Sequence, residues 1–224
     1  MTDKALHHLL RIDVGDDPEA WADAGFNVVD GETRVGSTVI RLRGANEQRG
    51  IMSLAIDGIT KPIDGLTVSP PIPGFHRRIT PLHPNLVSGL DHVVALSPDI
   101  DRTVAALTEA GLDPRRTRHH ESEGVIKRQV FFWLDDVILE LTGDDPGHGP
   151  GPARWWGLAF TCQDLDESHA SLAGLLGDPK AAVQPGRRIS VLHTDEVDMS
   201  VPIVFMSPHP THSRSDHPTG DRSE

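Results

Sequence analysis

Two residues of this chain have types and positions suited to chemistry. His92 stands near the start of the apolar run at residues 90–96, and Glu140 stands in the apolar run at 137–141. Brought together, an imidazole and a carboxylate can hold a divalent ion such as Zn, Fe, Mn or Ni, or can bond to each other with no ion between them. Strand alternation puts Val137, Leu139 and Leu141 on one face and Ile138, Glu140 and Thr142 on the other. The first face is apolar and suited to packing under a helix, so the carboxylate points to the opposite side. His92 shares its face with Val94 and Leu96. Two donors alone do not hold a metal tightly. His8 is one candidate for the third, because it matches His92 when the chain's first segment is aligned on its opening strand; His193 is the other.

Other side chains could serve a ligand. Trp133, Trp155 and Trp156 are large enough to line a binding site, although core packing would use at least one of them. Arg187 and Arg188 follow Gly186, and either could clamp a carboxylate or phosphate with its two-pronged donor geometry. His119 and His120, beside Arg115, Arg116 and Arg118, read as an exposed polar strand or loop. The single cysteine, Cys162, ends an apolar run and reads as a buried, inert thiol. No glycine-rich phosphate loop, dinucleotide fingerprint or nucleophile elbow is present, so no nucleotide cofactor is expected.

The elements that position these residues form a repeat. Residues 90–96 and 156–161 read as strands, and each meets an aspartate-apolar-aspartate turn, 99–101 or 164–166, able to start a helix. Gly111 and Gly177 end those helices, and three strands follow each. A weaker copy precedes them, with a strand at 6–14, a helix at 18–24 opened by Pro18, and strands at 26–29, 38–43 and 51–56. The expected organisation is an N-terminal βαβββ-like unit at 1–60, a proline-rich connector at 61–88, a domain of two units (89–143 and 154–208), and a disordered tail at 209–224. In the third unit the residues matching His92 and Glu140 are Gly157 and, approximately, Phe205.

Composition narrows the partners. Twenty-one Lys and Arg stand against 33 Asp and Glu, a formal net charge of -12, which repels nucleic acid and anionic lipid. No apolar run approaches the roughly 20 residues of a membrane helix. The N-terminus lacks the pattern of a signal peptide, so the expected location is cytoplasmic.

The ordered pattern, with residues 90–94, the aspartate-started helix, the 131–133 strand and the 137–141 strand, resembles the vicinal oxygen chelate superfamily. This is the glyoxalase, bleomycin-resistance and extradiol-dioxygenase group, and residues 155–208 look like the second half of a glyoxalase-like domain. The resemblance implies an α+β fold in which βαβββ modules pair into a cup-shaped mixed sheet with helices outside. It implies a divalent metal in the cup, held by His92, Glu140 and a third ligand such as His8. Glu140 would also carry a proton, and Trp133, Trp155, Arg187 and Arg188 would meet the substrate. The implied function is a metal-dependent lyase, isomerase or dioxygenase acting on a small oxygenated molecule. The alternative is a metal-free protein that binds or sequesters a small ligand in the same cup. An unpaired N-terminal module could also pair with a second copy, giving a homodimer.

Overall fold

The three α-helices among the described residues begin where aspartate meets an apolar periodic segment. In this computed structural model, which describes residues 7–45, 48–71 and 82–210, the Asp99 carboxylate accepts the Arg102 N–H and opens α2 (Ile100–Glu109). Asp164 accepts the N–H groups of Asp166 and Glu167 and opens α3 (Leu165–Ser171). α1 (Pro18–Asp23) starts on Pro18 and buries Trp21. Each of α2 and α3 buries its first residue, Ile100 or Leu165, against the sheet core.

Thirteen strands among the described residues make two mixed sheets, so the fold is α+β. The larger sheet is a curled half-barrel of eight strands: β6 (Val87–Leu96), β7 (Arg116–Ser122), β8 (Val125–Leu134), β9 (Val137–Asp144), β10 (Arg154–Cys162), β11 (Lys180–Ala181), β12 (Arg188–Val191) and β13 (Ile203–Met206). Their spatial order is β11-β12-β13-β10-β6-β9-β8-β7. Within each unit the first strand runs parallel to the last, β6 to β9 and β10 to β13, and the two first strands meet antiparallel at the centre.

The smaller sheet holds β1 (Leu9–Val14), β2 (Val28–Val29), β3 (Glu32–Val35), β4 (Thr38–Leu42) and β5 (Ile51–Ile56), in the order β2-β3-β4-β1-β5. Here the parallel partner of β1 is β4, and β5 flanks β1 antiparallel, as β10 flanks β6. The first unit therefore closes at β4, and β3, a strand the sequence pattern did not mark, is the middle one of its last three. β5 occupies the place of a second unit's opening strand, and no helix follows it before β6 among the described residues.

The two sheets share one apolar core. Trp21 and Phe26 from the N-terminal unit meet Phe160 of β10, with ring centroids 6.3 and 5.3 Å away, and Phe26 lies 6.2 Å from Phe205 of β13. The N-terminal unit thus finds its apolar partner within the chain, on the face of the large sheet opposite the cup. Residues 211–224, most of the expected tail, and 72–81 of the expected connector lie outside the described residues. No helix among the described residues is long and apolar enough to cross a membrane.

Candidate functional site

A fault in β6 sets the orientation of His92. Ala159 of β10 pairs with His92, but the next residue, Phe160, pairs with Leu90, so Asp91 is an extra residue on β6. A bulge of this kind bends the strand and re-aims its side chains, whereas regular alternation would send Asp91 and His92 to opposite faces. The result is a hydrogen bond of 2.8 Å between His92 Nδ1 and Asp91 Oδ1. Burial alone would raise the pKa of Asp91. The hydrogen bonds and positive charges of His92 and Arg187 outweigh that and hold the carboxyl far below the usual range. An ionised carboxylate only accepts, so His92 Nδ1 is the donor, and in a neutral imidazole the lone pair then falls on Nε2.

Arg187 completes the support. Its side chain is fully buried (0% exposed), and its Nη2 donates to Asp91 Oδ2 at 2.7 Å. Nε donates to the Ser207 carbonyl at 2.8 Å, Nη1 to Gln184 Oε1 at 2.7 Å, and Nη1 also reaches His209 Nε2 at 3.2 Å. On the other side of His92, Nε2 lies 3.7 Å from Glu140 Oε2. Glu140 Oε1 accepts from Gln129 Nε2 at 2.6 Å.

His92 and Glu140 line two cavities of the cup. One, of about 630 Å³, is bounded by Arg116, Arg118, Phe131, Trp133, Val183 and Arg187 among others. The other, of about 530 Å³, is bounded by His120, Gln129, Trp156, Gly157, Val191 and Val204 among others. His120 Nδ1 and Gln129 Oε1 are buried without a hydrogen-bond partner. The apolar residues at the rim are open: Trp133 is 49% exposed and Val183 69%.

Several residues singled out from the sequence stand elsewhere. His8 precedes β1, and its Nδ1 lies 3.1 Å from Asp135 Oδ2. Its match to His92 fails because the helix starts set the register. Counting back from Asp99 to His92, the same step from Asp17 reaches Leu10 and from Asp164 reaches Gly157. His193 Nδ1 lies 3.2 Å from the Gly174 carbonyl, on a loop beside α3. Trp155 is turned into the core, with Nε1 donating to the Thr67 carbonyl at 3.0 Å. A second bulge, where Trp155 pairs with Ala95 but Gly157 with Val94, puts Trp156 on the cup side instead. Arg188 is spread over Asp166 at the start of α3, at 2.6 and 2.9 Å, outside the cup. Arg187 lines the first cavity, but its donors are taken up by Asp91, Gln184 and Ser207.

The position matching Glu140 is also displaced by one. Glu140 pairs with Val94, and the equivalent pair in the next unit is Ala159 with Val204. Val204 lines the cup, whereas Phe205 points to the opposite face and packs on Phe160. The chemistry of the substitution is unchanged, since neither residue can ligate.

No protein-family model and no curated protein matches the sequence. Solved structures do. A variant of 4-hydroxymandelate synthase from Streptomyces coelicolor superposes with a TM-score of 0.60 at 12% identity, over 89% of this chain and 92% of that one. A homoprotocatechuate 2,3-dioxygenase variant from B. fuscum gives 0.55 at 14% identity, over 97% and 76%. A catechol 2,3-dioxygenase gives 0.52 at 12% identity, over 90% and 92%. The fold is that of the vicinal oxygen chelate superfamily.

That fold raises the question of a metal in the cup, and the donor set answers it poorly. His92 Nε2 and Glu140 Oε2 are two donors. The sister strands of the cup offer Gly157 and Val204, and the N-terminal unit offers Leu10 and, opposite Ile12, Ile40. Gln129 could add only a neutral amide oxygen. Among the described residues no group of three His, Cys, Asp or Glu converges as a ligand set. A site for Zn or a similar transition-metal ion rests on three or four such ligands. The described residues do not fit a resident ion.

Asp91, Gln129 and the arginine wall of β7 had escaped the sequence reading. Arg116, Arg118 and His120 do carry the signal of alternate positions on one strand face. Asp91 carried none, because only the bulge brings it to His92.

Proposed function

We propose that this chain binds a small oxygenated molecule in the cup and presents to it a proton-transfer pair, His92 and Glu140, with no metal held by the protein. One observation carries the reading: the Asp91 carboxylate holds His92 Nδ1–H at 2.8 Å and leaves Nε2 facing Glu140 across 3.7 Å. A basic nitrogen oriented by a carboxylate can accept a proton from an O–H or an acidic C–H, and Asp91 then stabilises the imidazolium. Glu140, oriented by Gln129, is placed to accept or return a proton at the same locus. The unmet hydrogen-bonding capacity of His120 Nδ1 and Gln129 Oε1 favours an oxygenated occupant over a hydrocarbon. A metal-dependent lyase, isomerase or dioxygenase would need donors where this chain has Gly157 and Val204.

Elemental analysis of protein purified without chelator tests the reading. The expected result is less than about one-tenth of an equivalent of Zn, Fe, Mn or Ni, with no stoichiometric uptake when each ion is added in turn. Stoichiometric metal that disappears in both His92→Ala and Glu140→Ala would overturn it.

A further inference from the structure

The wall of the first cavity has a charge opposite to that of the protein as a whole. The chain carries a formal net charge of -12, yet three arginines that line this cavity, Arg115, Arg116 and Arg118, come from β7 and the turn before it. Glu140 is the one acidic side chain lining it among the described residues, and Arg187 there is already matched by Asp91. Elsewhere arginines find carboxylates: Arg11 with Asp13, Arg41 with Glu32, Arg102 with Asp64, Arg128 with Asp101 and Arg188 with Asp166. Among the described residues no carboxylate pairs with Arg116 or Arg118. Positive charge kept unpaired in a cleft of an acidic protein focuses potential on anions.

Strand register gives the ligand a shape. Arg116 pairs with Phe131 and Phe131 with Glu140, so the three lie in one row across β7, β8 and β9. Arg118 pairs with Gln129 in the next row. Two strand spacings, about 10 Å, separate the backbone of the cationic end from that of the proton-transfer end. Between them lies the ring of Phe131, with Trp133 two residues along on the same face and Val183 at the open rim.

We propose that the cup takes a carboxylate with a flat apolar body: the carboxylate on Arg116 and Arg118, the body over Phe131 and against Trp133, and an oxygen at the far end presented to His92 and Glu140. Guanidinium groups match a carboxylate with paired donors, and an aromatic wall matches a planar body. This specificity rests on the reading of the cup as a ligand site.

Calorimetric titration with 6-hydroxy-2-naphthoate and with its neutral primary amide tests it. The acid should bind at least tenfold tighter than the amide in low salt. Raising the salt should weaken the acid and leave the amide unchanged. In Arg116→Ala/Arg118→Ala the acid should fall to the level of the amide, while amide binding and the melting temperature stay as in the parent. Equal binding of acid and amide by the parent protein would overturn the anion specificity and leave the cup as a ligand site. Binding of neither probe at millimolar concentration would overturn both. A preference for the acid that survives in the double variant and in high salt would remove Arg116 and Arg118 from the proposal.

Discussion

Asp91 and Arg187 form a buried pair whose removal is costly in a way that its formation does not reveal. Their side chains are 4% and 0% exposed, and they meet at 2.7 Å. Neutralising one partner leaves the other charge buried without compensation, a loss of about 3–5 kcal/mol in comparable pairs. Asp91→Asn should therefore lower stability by that order at pH 7, measured by urea unfolding. The pH dependence follows from the lowered pKa of Asp91 in the folded chain. Its contribution is complete above the unfolded carboxylate value of about 3.9 and is lost as pH falls below it. Parent stability should decline below about pH 4, and Asp91→Asn should lack that part of the decline; parallel curves would refute the assignment. The direction of Glu140 was legible from strand alternation, because the other face of its strand is apolar. Asp91 was not, since adjacent residues on a regular strand diverge and a one-residue bulge leaves no mark in the amino-acid pattern. Arg187 was read as reaching a substrate, where its burial commits it to Asp91.

At the scale of the element, the helix starts were the most readable features and also the most useful. Asp99 and Asp164 each accept a backbone N–H that the first turn leaves unpaired, at 3.1 Å from Arg102 and at 3.1 and 3.0 Å from Asp166 and Glu167. Loss of such a cap costs about 0.5–2 kcal/mol. Asp164→Ala should fall in that range by chemical denaturation, and Asp164→Asn, which keeps an accepting oxygen, should recover most of it. An Asp164→Asn protein no more stable than Asp164→Ala would show that the hydrogen bonds contribute little there. The same caps fix which residues correspond between units, and on that register the match of His8 to His92 gives way to Leu10. Strand composition was less informative about pairing. Residues 51–56 look like a unit's last strand by position, yet β5 lies antiparallel on β1 where a last strand would lie parallel. Local sequence specifies that a segment is extended. The neighbour it chooses depends on contacts distant in the chain, which a single sequence does not display.

At the scale of the molecule, one residue of the connector is fastened to the N-terminal unit beside the core that this unit shares with the cup. His83 is 2% exposed, and both ring nitrogens are used: Nδ1 accepts the Asn27 N–H at 3.0 Å and Nε2–H donates to the Arg34 carbonyl at 3.0 Å. Its ring also lies 5.4 Å from that of Phe26, which packs on Phe160 and Phe205. A protonated imidazole has two N–H groups, so it cannot accept from Asn27. Burial lowers the pKa of His83, and the hydrogen bond to Arg34 opposes that only in part. The unfolded chain binds its proton near pH 6.5, before the folded chain does. Stability should therefore be level above about pH 7.5. Below about pH 6.5 it should fall by up to about 1.4 kcal/mol per pH unit from this group, until the folded form is protonated as well. Urea midpoints measured from pH 8 to pH 5 read the effect. His83→Gln should lower stability at pH 8, where the neutral ring is intact, and the gap to the parent should narrow on acidification. Because the five-stranded sheet and the cup share one core, fluorescence of Trp21 and of the cup tryptophans should report the same midpoint at each pH. Curves for parent and variant that stay parallel across the range would show that His83 titrates alike in both states. Midpoints that separate by probe would show that the N-terminal unit opens on its own, and that the connector rather than the core joins it to the cup.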